Sequence, residues 1–381
     1  MKVAFVTPGA FPVPSAMGGS VERVVEKVVP RLASRADVVI YGRKGLRLAA
    51  IGKLDGAPIL RFPARSKERY FASVCRSLRA NRPDIIQVEN RPKWVPRLKR
   101  RFPKTKVWLS LHSTTFITGA RMNKFQRKVC LQAADRIVVN SDYLKSYIAS
   151  RLPQTAGKIL VNHLGVEAYR FPGRSSIEGM ALRAIGRLER GWVGRKIVLF
   201  VGRLVPQKGV HHLLSAVPAI LAKHPDALIV VVGSATYGSH RLTKYARALH
   251  RQAKRWRKHV HFEPYVPHNE IPRWFAMADL AVVPSIGNEA FGLVNVEAMA
   301  AELPVVATRA GGMKEIVVDG ETGFLIAKEK PLIVRELGLR VSELLGDERL
   351  RYEMGAKGKE RVMSGFLWEH TAQRWLTLAS E

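Results

Sequence analysis

Short apolar runs that stop at a glycine, a proline or a polar turn alternate with longer segments of helical periodicity along almost the whole chain. In the first half, strands are expected over Lys2–Thr7, Asp37–Tyr41, Ile85–Val88, Lys106–Leu111, Arg136–Val139 and Lys158–Val161. Helical periodicity covers Val21–Leu32 and Glu68–Arg79, and Ser141 is placed to cap a helix opening near Asp142. In the second half, strands are expected over Lys196–Gly202, Ala227–Gly233, Val260–Phe262, Leu280–Val283 and Pro304–Thr308. Helices are expected over Val210–Ala222, Arg241–Lys258 and Asn269–Ala276, then from Leu332 and Glu348, with a last one over Phe366–Ala379. Strands separated by helices must be joined by crossovers, which favours parallel, doubly wound sheets. Residues 166–195 lack strand periodicity and read as a linker with one short helix. The expected organisation is α/β, with domains at 1–165 and 196–365, a linker at 166–195, and a terminal helix at 366–381. Two such domains facing each other would place a ligand cleft between them.

The 381 residues suffice for two independent cores. Cys75 and Cys130 stand far apart without metal-ligand spacing, which suits a reducing compartment and argues against a disulfide scaffold. Met1–Pro8 carries too short an apolar run for a signal peptide, and no stretch approaches the roughly 18 apolar residues of a membrane span. A cytoplasmic location is the expectation. The unusual quantity is the net charge of +32. Residues 1–165 hold 32 of the 63 Lys and Arg but 9 of the 31 Asp and Glu, so the excess sits mainly in the first half. Such a field attracts nucleic acid, anionic lipid or an acidic polymer, or is simply a solvated surface.

Chemistry concentrates in two stretches of the second half. After the strand Leu280–Val283 comes Pro284-Ser285-Ile286-Gly287-Asn288-Glu289-Ala290-Phe291-Gly292-Leu293-Val294-Asn295-Val296-Glu297, a loop leading into a helix. A strand–loop–helix unit aims the positive end of the helix at an anion over the carboxyl edge of a sheet. Glu289 and Glu297 are ill suited to holding phosphate but well suited to accepting hydrogen bonds from hydroxyls. A phosphate flanked by hydroxyls describes a nucleotide sugar. The second stretch is Phe200-Val201-Gly202-Arg203-Leu204-Val205-Pro206-Gln207-Lys208-Gly209, where Arg203 and Lys208 flank a turn and could both reach one pyrophosphate. It is not a Walker P-loop, and no Gly-x-Gly-x-x-Gly follows a strand.

These residues, with the seven-residue gap between Glu289 and Glu297, and Pro304–Thr308 followed by Gly311-Gly312 and Glu315, resemble glycosyltransferase family 4. The resemblance spans nearly the whole chain and includes Gly18-Gly19, Gly165-Val166-Glu167 and Phe366-Leu367-Trp368-Glu369. It implies a retaining enzyme of the GT-B fold, two Rossmann-like domains facing a cleft, with a terminal helix returning to the first. It assigns Arg203 and Lys208 to the donor pyrophosphate, Glu297 to the ribose hydroxyls and Glu289 to the donor sugar. Ala290, Phe291, Gly292 and Leu293 would meet the donor's oxygens at the helix start, and Gly18-Gly19 would let the first domain's loop approach the diphosphate. His112, at the end of the strand Val107–Leu111, would face the sugar from the acceptor side. Glu89 and Asn90 lie at the same edge and would touch acceptor.

No Asp-x-Asp occurs in the sequence, so no metal and no cofactor is expected, the two cations stabilising the leaving diphosphate instead. No residue reads as a covalent nucleophile, and configuration is expected to be retained. A UDP-sugar is favoured over GDP- or ADP-sugars as donor. Phe11-Pro12-Val13-Pro14 before Gly18-Gly19-Ser20-Val21-Glu22 is similar to bacterial members associated with spore coats and cell-surface glycans, which implies a glycan or lipid-linked acceptor. The basic stretches Lys93–Phe102 and Arg121–Lys128 mix cations with large apolar groups and suit an anionic membrane surface or acidic glycan, or else pack as ordinary amphipathic helices. A nucleotide-sugar 2-epimerase shares the fold and the phosphate logic. A specific nucleic-acid-binding role rests on charge alone, with no recognisable motif behind it.

Overall fold

The computed structural model describes residues 1–15, 19–236 and 242–381. It divides into two units, Met1–Leu164 with Trp368–Glu381, and Gly165–Leu367. The first unit carries β1 (Lys2–Val6), β2 (Asp37–Arg43), β3 (Ile51–Leu54), β4 (Ala57–Phe62), β5 (Ile85–Glu89), β6 (Lys106–Leu111), β7 (Arg136–Val139) and β8 (Ile159–Val161). Their order across the sheet is β3-β4-β2-β1-β5-β6-β7-β8. Seven of these strands run parallel, and β3 joins antiparallel at the edge through a hairpin with β4.

That hairpin is absent from the sequence expectation because glycine, lysine and proline interrupt its apolar pattern. Its turn is legible in retrospect. Asp55-Gly56 adopt φ of 44° and 87°, the two positive values of a two-residue hairpin turn, for which Asp-Gly is a preferred pair.

The second unit carries β9 (Lys196–Val201), β10 (Ala227–Val232), β11 (Val260–Glu263), β12 (Leu280–Val283), β13 (Val305–Thr308) and β14 (Gly323–Ile326), all parallel, in the order β11-β10-β9-β12-β13-β14. Val198, Phe200, Ile229, Val231, Leu280 and Val282 form its core with the helices Val210–Lys223 and Leu332–Gly346. Covered on both faces, these strands read as nearly unbroken apolar runs. Each sheet reverses its winding once, between β1 and β5 in the first and between β9 and β12 in the second. Ligands of doubly wound sheets bind where the winding reverses, at the carboxyl edge.

The terminal helix is Trp368–Ser380 and belongs to the first unit, where Trp375 packs against Phe5 and Trp108 at ring separations of 5.3 and 5.7 Å. The chain's two connections run side by side, the Val166 amide donating to the Phe366 carbonyl at 2.9 Å.

Residues 166–195 are not a free linker. Ile177–Glu189 form a helix capped by Ser176 and fixed to the second sheet by charge. Arg183 donates to Asp279, and Arg187 reaches the same carboxylate at 2.7 Å and the Met277 carbonyl at 2.7 Å. Arg174 stands 3.3 Å from Asp279, and the Ile197 amide donates to it at 2.7 Å. Burial alone would push this carboxyl up. The Arg183, Arg187 and Arg174 charges and the Ile197 amide outweigh that and hold it below the ordinary range. Burial conversely lowers the Arg183 guanidinium to about 10. Sequence periodicity could not show this attachment, because it depends on one acid placed just before β12.

Removing one partner of a buried ion pair leaves the other charge uncompensated, at a cost of about 3–5 kcal/mol. Asp279→Ala should therefore lower the unfolding free energy by about that amount in urea denaturation. A loss below about 1 kcal/mol, the scale of an exposed pair, would contradict this account.

Candidate active site

At the winding reversal of the second sheet, the turns after β9, β12 and β13 are joined into one edge. The Ile286 and Gly287 amides donate to the Gln207 carbonyl at 2.9 and 3.3 Å. Thr308 Oγ1 donates to the Ser285 carbonyl at 2.5 Å, and the Gly312 amide to the Glu289 carbonyl at 2.9 Å. Glycine is required where the backbones meet. At Gly209 φ is +72° and a Cβ would sit 1.8 Å from the Pro284 carbonyl oxygen; at Gly311 φ is +59° and a Cβ would sit 1.8 Å from that of Glu289. Gly311-Gly312 thus forms a backbone saddle under Glu289, a role their sequence pattern does not reveal.

On this edge Lys208 Nζ donates to Glu289 Oε2 at 2.5 Å, and Ser285 Oγ donates to the same oxygen at 3.4 Å. Burial alone would push the Glu289 carboxyl up. The Lys208 ammonium, with Ser285 and the Arg203 charge, outweighs burial and holds it below its ordinary value of 4.5. Arg203 itself is exposed. Two of the sequence-predicted residues, Lys208 and Arg203, therefore act electrostatically on a third, Glu289.

Ala290 and Phe291 are buried, and Gly292, at φ +102°, caps the helix Leu293–Ala300. The first amides of a helix have no partner within it, and its positive end here opens directly after Glu289. Glu297 lies further along this helix, 7% exposed, and is held by a residue that sequence reading missed. His268 Nε2 stands 3.0 Å from Glu297 Oε1. His268 sits in the loop after β11, where nothing in its spacing singles it out.

The first unit presents its own carboxyl edge. His112 directly follows β6, with its amide donating to Asn90 Oδ1 at 3.0 Å and its Nε2 2.8 Å from Glu89 Oε2. Asn90 holds φ +49°, a left-handed conformation asparagine tolerates, and its amide donates to the Ser110 carbonyl at 2.9 Å. The expectation that Glu89 and Asn90 touch acceptor needs correction. Glu89 is 1% exposed with its carboxylate oxygens taken by Gln87 and His112, and Asn90, also buried, accepts the His112 amide through Oδ1. They support the histidine from behind.

Gly19 caps the helix Ser20–Leu32 at φ +110°, and a Cβ there would sit 2.7 Å from the buried Glu22 carboxylate. Glu22 in turn accepts the Phe11 amide at 3.2 Å, tying down the loop after β1. Gly18, the other glycine of the pair, and Arg241 lie outside the described residues.

The basic stretches divide. In Lys93–Phe102, Trp94, Val95 and Leu98 belong to the core, Arg97 forks onto Glu68 at 3.2 and 2.8 Å, and Lys99 pairs with Asp135 at 2.9 Å. This stretch offers no apolar face to a membrane. In the helix Lys124–Gln132, by contrast, Phe125 is 74% exposed between the exposed Lys124 and Lys128. Among the described residues no helix is long and apolar enough to cross a membrane.

Comparison with known proteins agrees with this fold. Residues 17–170 match the family described as Glycosyltransferase Family 4, and residues 189–361 match Glycosyl transferases group 1. The chain belongs to these glycosyltransferases, and its fold is GT-B. It is 34% identical over 379 residues to Spore coat protein SA of Bacillus subtilis (strain 168), covering 99% of both chains. It is 32% identical to the putative glycosyltransferase YtcC of the same organism, covering 99% of this chain and 91% of that one. Anabaena HepE in complex with UDP-glucose superposes over the full length of both chains with a TM-score of 0.78 at 21% identity, a likeness of fold.

The pairing of Glu289 has a thermodynamic consequence. A carboxyl held low in the folded state contributes stability above its unfolded value, and loses it as pH falls through its folded value. The stability of the wild type over Glu289→Gln should be full above about pH 5 and shrink on acidification below the ordinary value of 4.5. Denaturation of both proteins across that range tests it. A difference that grows on acidification would contradict the assignment.

Proposed function

We propose that this glycosyltransferase moves a sugar from a nucleoside-diphosphate donor, a UDP-sugar in the first instance, to a cell-surface or spore-coat glycan or a lipid-linked acceptor, retaining the anomeric configuration and needing no metal. The observation that carries the reading is the Lys208–Glu289 ion pair at 2.5 Å on adjacent turns at the winding reversal, with the Arg203 charge acting on the same carboxylate. A cation pair beside a helix N-terminus is matched to a pyrophosphate, and a carboxylate oriented by one of those cations is matched to sugar hydroxyls.

As the anomeric C–O bond breaks, its electrons pass to the diphosphate oxygen, where Lys208, Arg203 and the positive end of the helix Leu293–Ala300 stabilise the new charge. Glu289, fixed by Lys208, orients hydroxyls of the sugar rather than attacking it, since its carboxylate is already paired. Ala290, Phe291, Gly292 and Leu293 line the donor's oxygens, Gly18 and Gly19 admit the diphosphate, and Glu297, braced by His268, accepts from the ribose. The acceptor hydroxyl bonds to the anomeric carbon from the side the diphosphate leaves, and its proton passes to that diphosphate. His112 meets the sugar from the acceptor side.

The name of the Bacillus relative supports a spore-coat or surface glycan as destination. The exposed Phe125 among cations supports peripheral contact of a cytoplasmic enzyme with an anionic membrane surface, where an apolar group inserts and the lysines meet headgroups.

The test is release of nucleoside diphosphate and transfer of sugar in EDTA, with the anomer of the product read by proton NMR. Lys208→Ala should lower kcat by about 100- to 1000-fold, the usual cost of removing one group aimed at developing charge. Glu297→Ala should raise the donor KM with a smaller effect on kcat. Wild-type kinetics in both variants, or interconversion of free nucleotide sugars without transfer, would contradict the proposal.

A further inference from the structure

We propose that the C-terminal helix fixes the tautomer of His112 through a one-way chain of hydrogen bonds, Trp375 to Gln87 to Glu89 to His112, which makes Trp375, Gln87 and Glu89 positioning residues for that histidine. The proposal rests on the reading that His112 faces the transferred sugar.

The direction of the chain follows from its first member. An indole N–H can only donate. Trp375 Nε1 lies 2.7 Å from Gln87 Oε1, so the amide oxygen must face the indole and the amide nitrogen must face away. That nitrogen donates to Glu89 Oε1 at 2.7 Å. Two groups meet His112 Nε2: the other carboxylate oxygen of Glu89 at 2.8 Å, which only accepts, and Ser110 Oγ at 3.0 Å, a hydroxyl that can turn to accept as well as donate. The proton of a neutral His112 therefore sits on Nε2, and Nδ1 is left as an acceptor.

The surroundings agree. Nδ1 of His112 and Oδ1 of Asn140 are both buried without a partner in the chain, and both residues line a cavity of about 30 Å³, the size of one water or hydroxyl. A single water in that cavity carries two hydrogens, one for each acceptor, whereas one hydroxyl would serve only one of them. An Nδ1–H tautomer would instead place a donor there and leave Nε2 without a hydrogen for Glu89.

Trp375 is itself immobilised. It is 1% exposed, and its helix is tied to the two residues that follow β8 by Asn162 Nδ2 on the Thr371 carbonyl at 3.1 Å and Arg374 Nη2 on the His163 carbonyl at 2.8 Å. The last element of the chain thereby reaches the carboxyl edge of the first sheet through three side chains. A residue that only filled the core at position 375 would need no N–H and no aligned glutamine.

The variant that isolates the idea is Glu89→Gln. Its single carbonyl oxygen takes the Gln87 hydrogen, so its amide presents a hydrogen to His112 Nε2 and shifts the balance to a proton on Nδ1, with Ser110 Oγ, 3.0 Å from Nε2, free to donate to the bare nitrogen. Imidazole nitrogen-15 NMR of the full chain should show an Nε2–H tautomer for His112 in the wild type and an Nδ1–H tautomer in Glu89→Gln, with kcat lowered about tenfold and the donor KM within about twofold. Trp375→Phe, which keeps a ring but removes the donor, should give mixed tautomers and an intermediate kcat, and it serves where Glu89→Gln does not fold. An Nδ1–H tautomer in the wild type, or an unchanged tautomer in the variants, would overturn the proposal. Because the tautomer is read without substrate, a correct tautomer in a protein that transfers no sugar would contradict the functional reading and leave the relay standing.

Discussion

Lys208 and Glu289 are 81 residues apart in sequence and 2.5 Å apart in space, and the second unit is built so that they meet. The winding of the sheet puts β9 beside β12, so the turns that follow those strands are neighbours. Glycines at 209 and 311 let the backbones approach more closely than any side chain would allow. The Gln207 and Glu289 carbonyls then accept amides from the adjoining turns, which converts three loops into one rigid edge. A cation and an anion held this way are pre-oriented, which is what the proposed stabilisation of a leaving diphosphate requires.

The same economy appears elsewhere. Asp279 gathers Arg174, Arg183 and Arg187 and turns a stretch without strand periodicity into part of the second unit. Glu89 is enclosed in the first unit and serves His112 rather than solvent. In a chain with 63 Lys and Arg against 31 Asp and Glu, the buried Asp279 and Glu89 each organise more than one partner.

Much of this was legible beforehand. Period and turn residues mark most of the strands, because buried parallel strands are apolar along their whole length. That Arg203, Lys208 and Glu289 would meet on one edge could be anticipated because strand–turn–helix units bring their turns together. The edge hairpin escaped because half-exposed strands carry polar and glycine residues, as in Ile51–Leu54. His268 and the Gln87–Glu89–Trp375 contacts escaped for a different reason. They are pairings across the fold, between residues whose local sequence is unexceptional. The role of Glu89 was misread because a carboxylate at a strand end looks the same whether it faces ligand or core. Its enclosure under His112 is visible only in three dimensions.

The most direct test of the account is whether the free protein holds a nucleotide sugar without metal. Thermal denaturation in EDTA against UDP-, GDP- and ADP-sugars measures it, since a ligand at 100 times its Kd adds about 2.7 kcal/mol of stability. The account predicts a concentration-dependent rise in Tm with a UDP-sugar in EDTA. No rise with any of the three, or a rise only when a divalent cation is supplied, would contradict it.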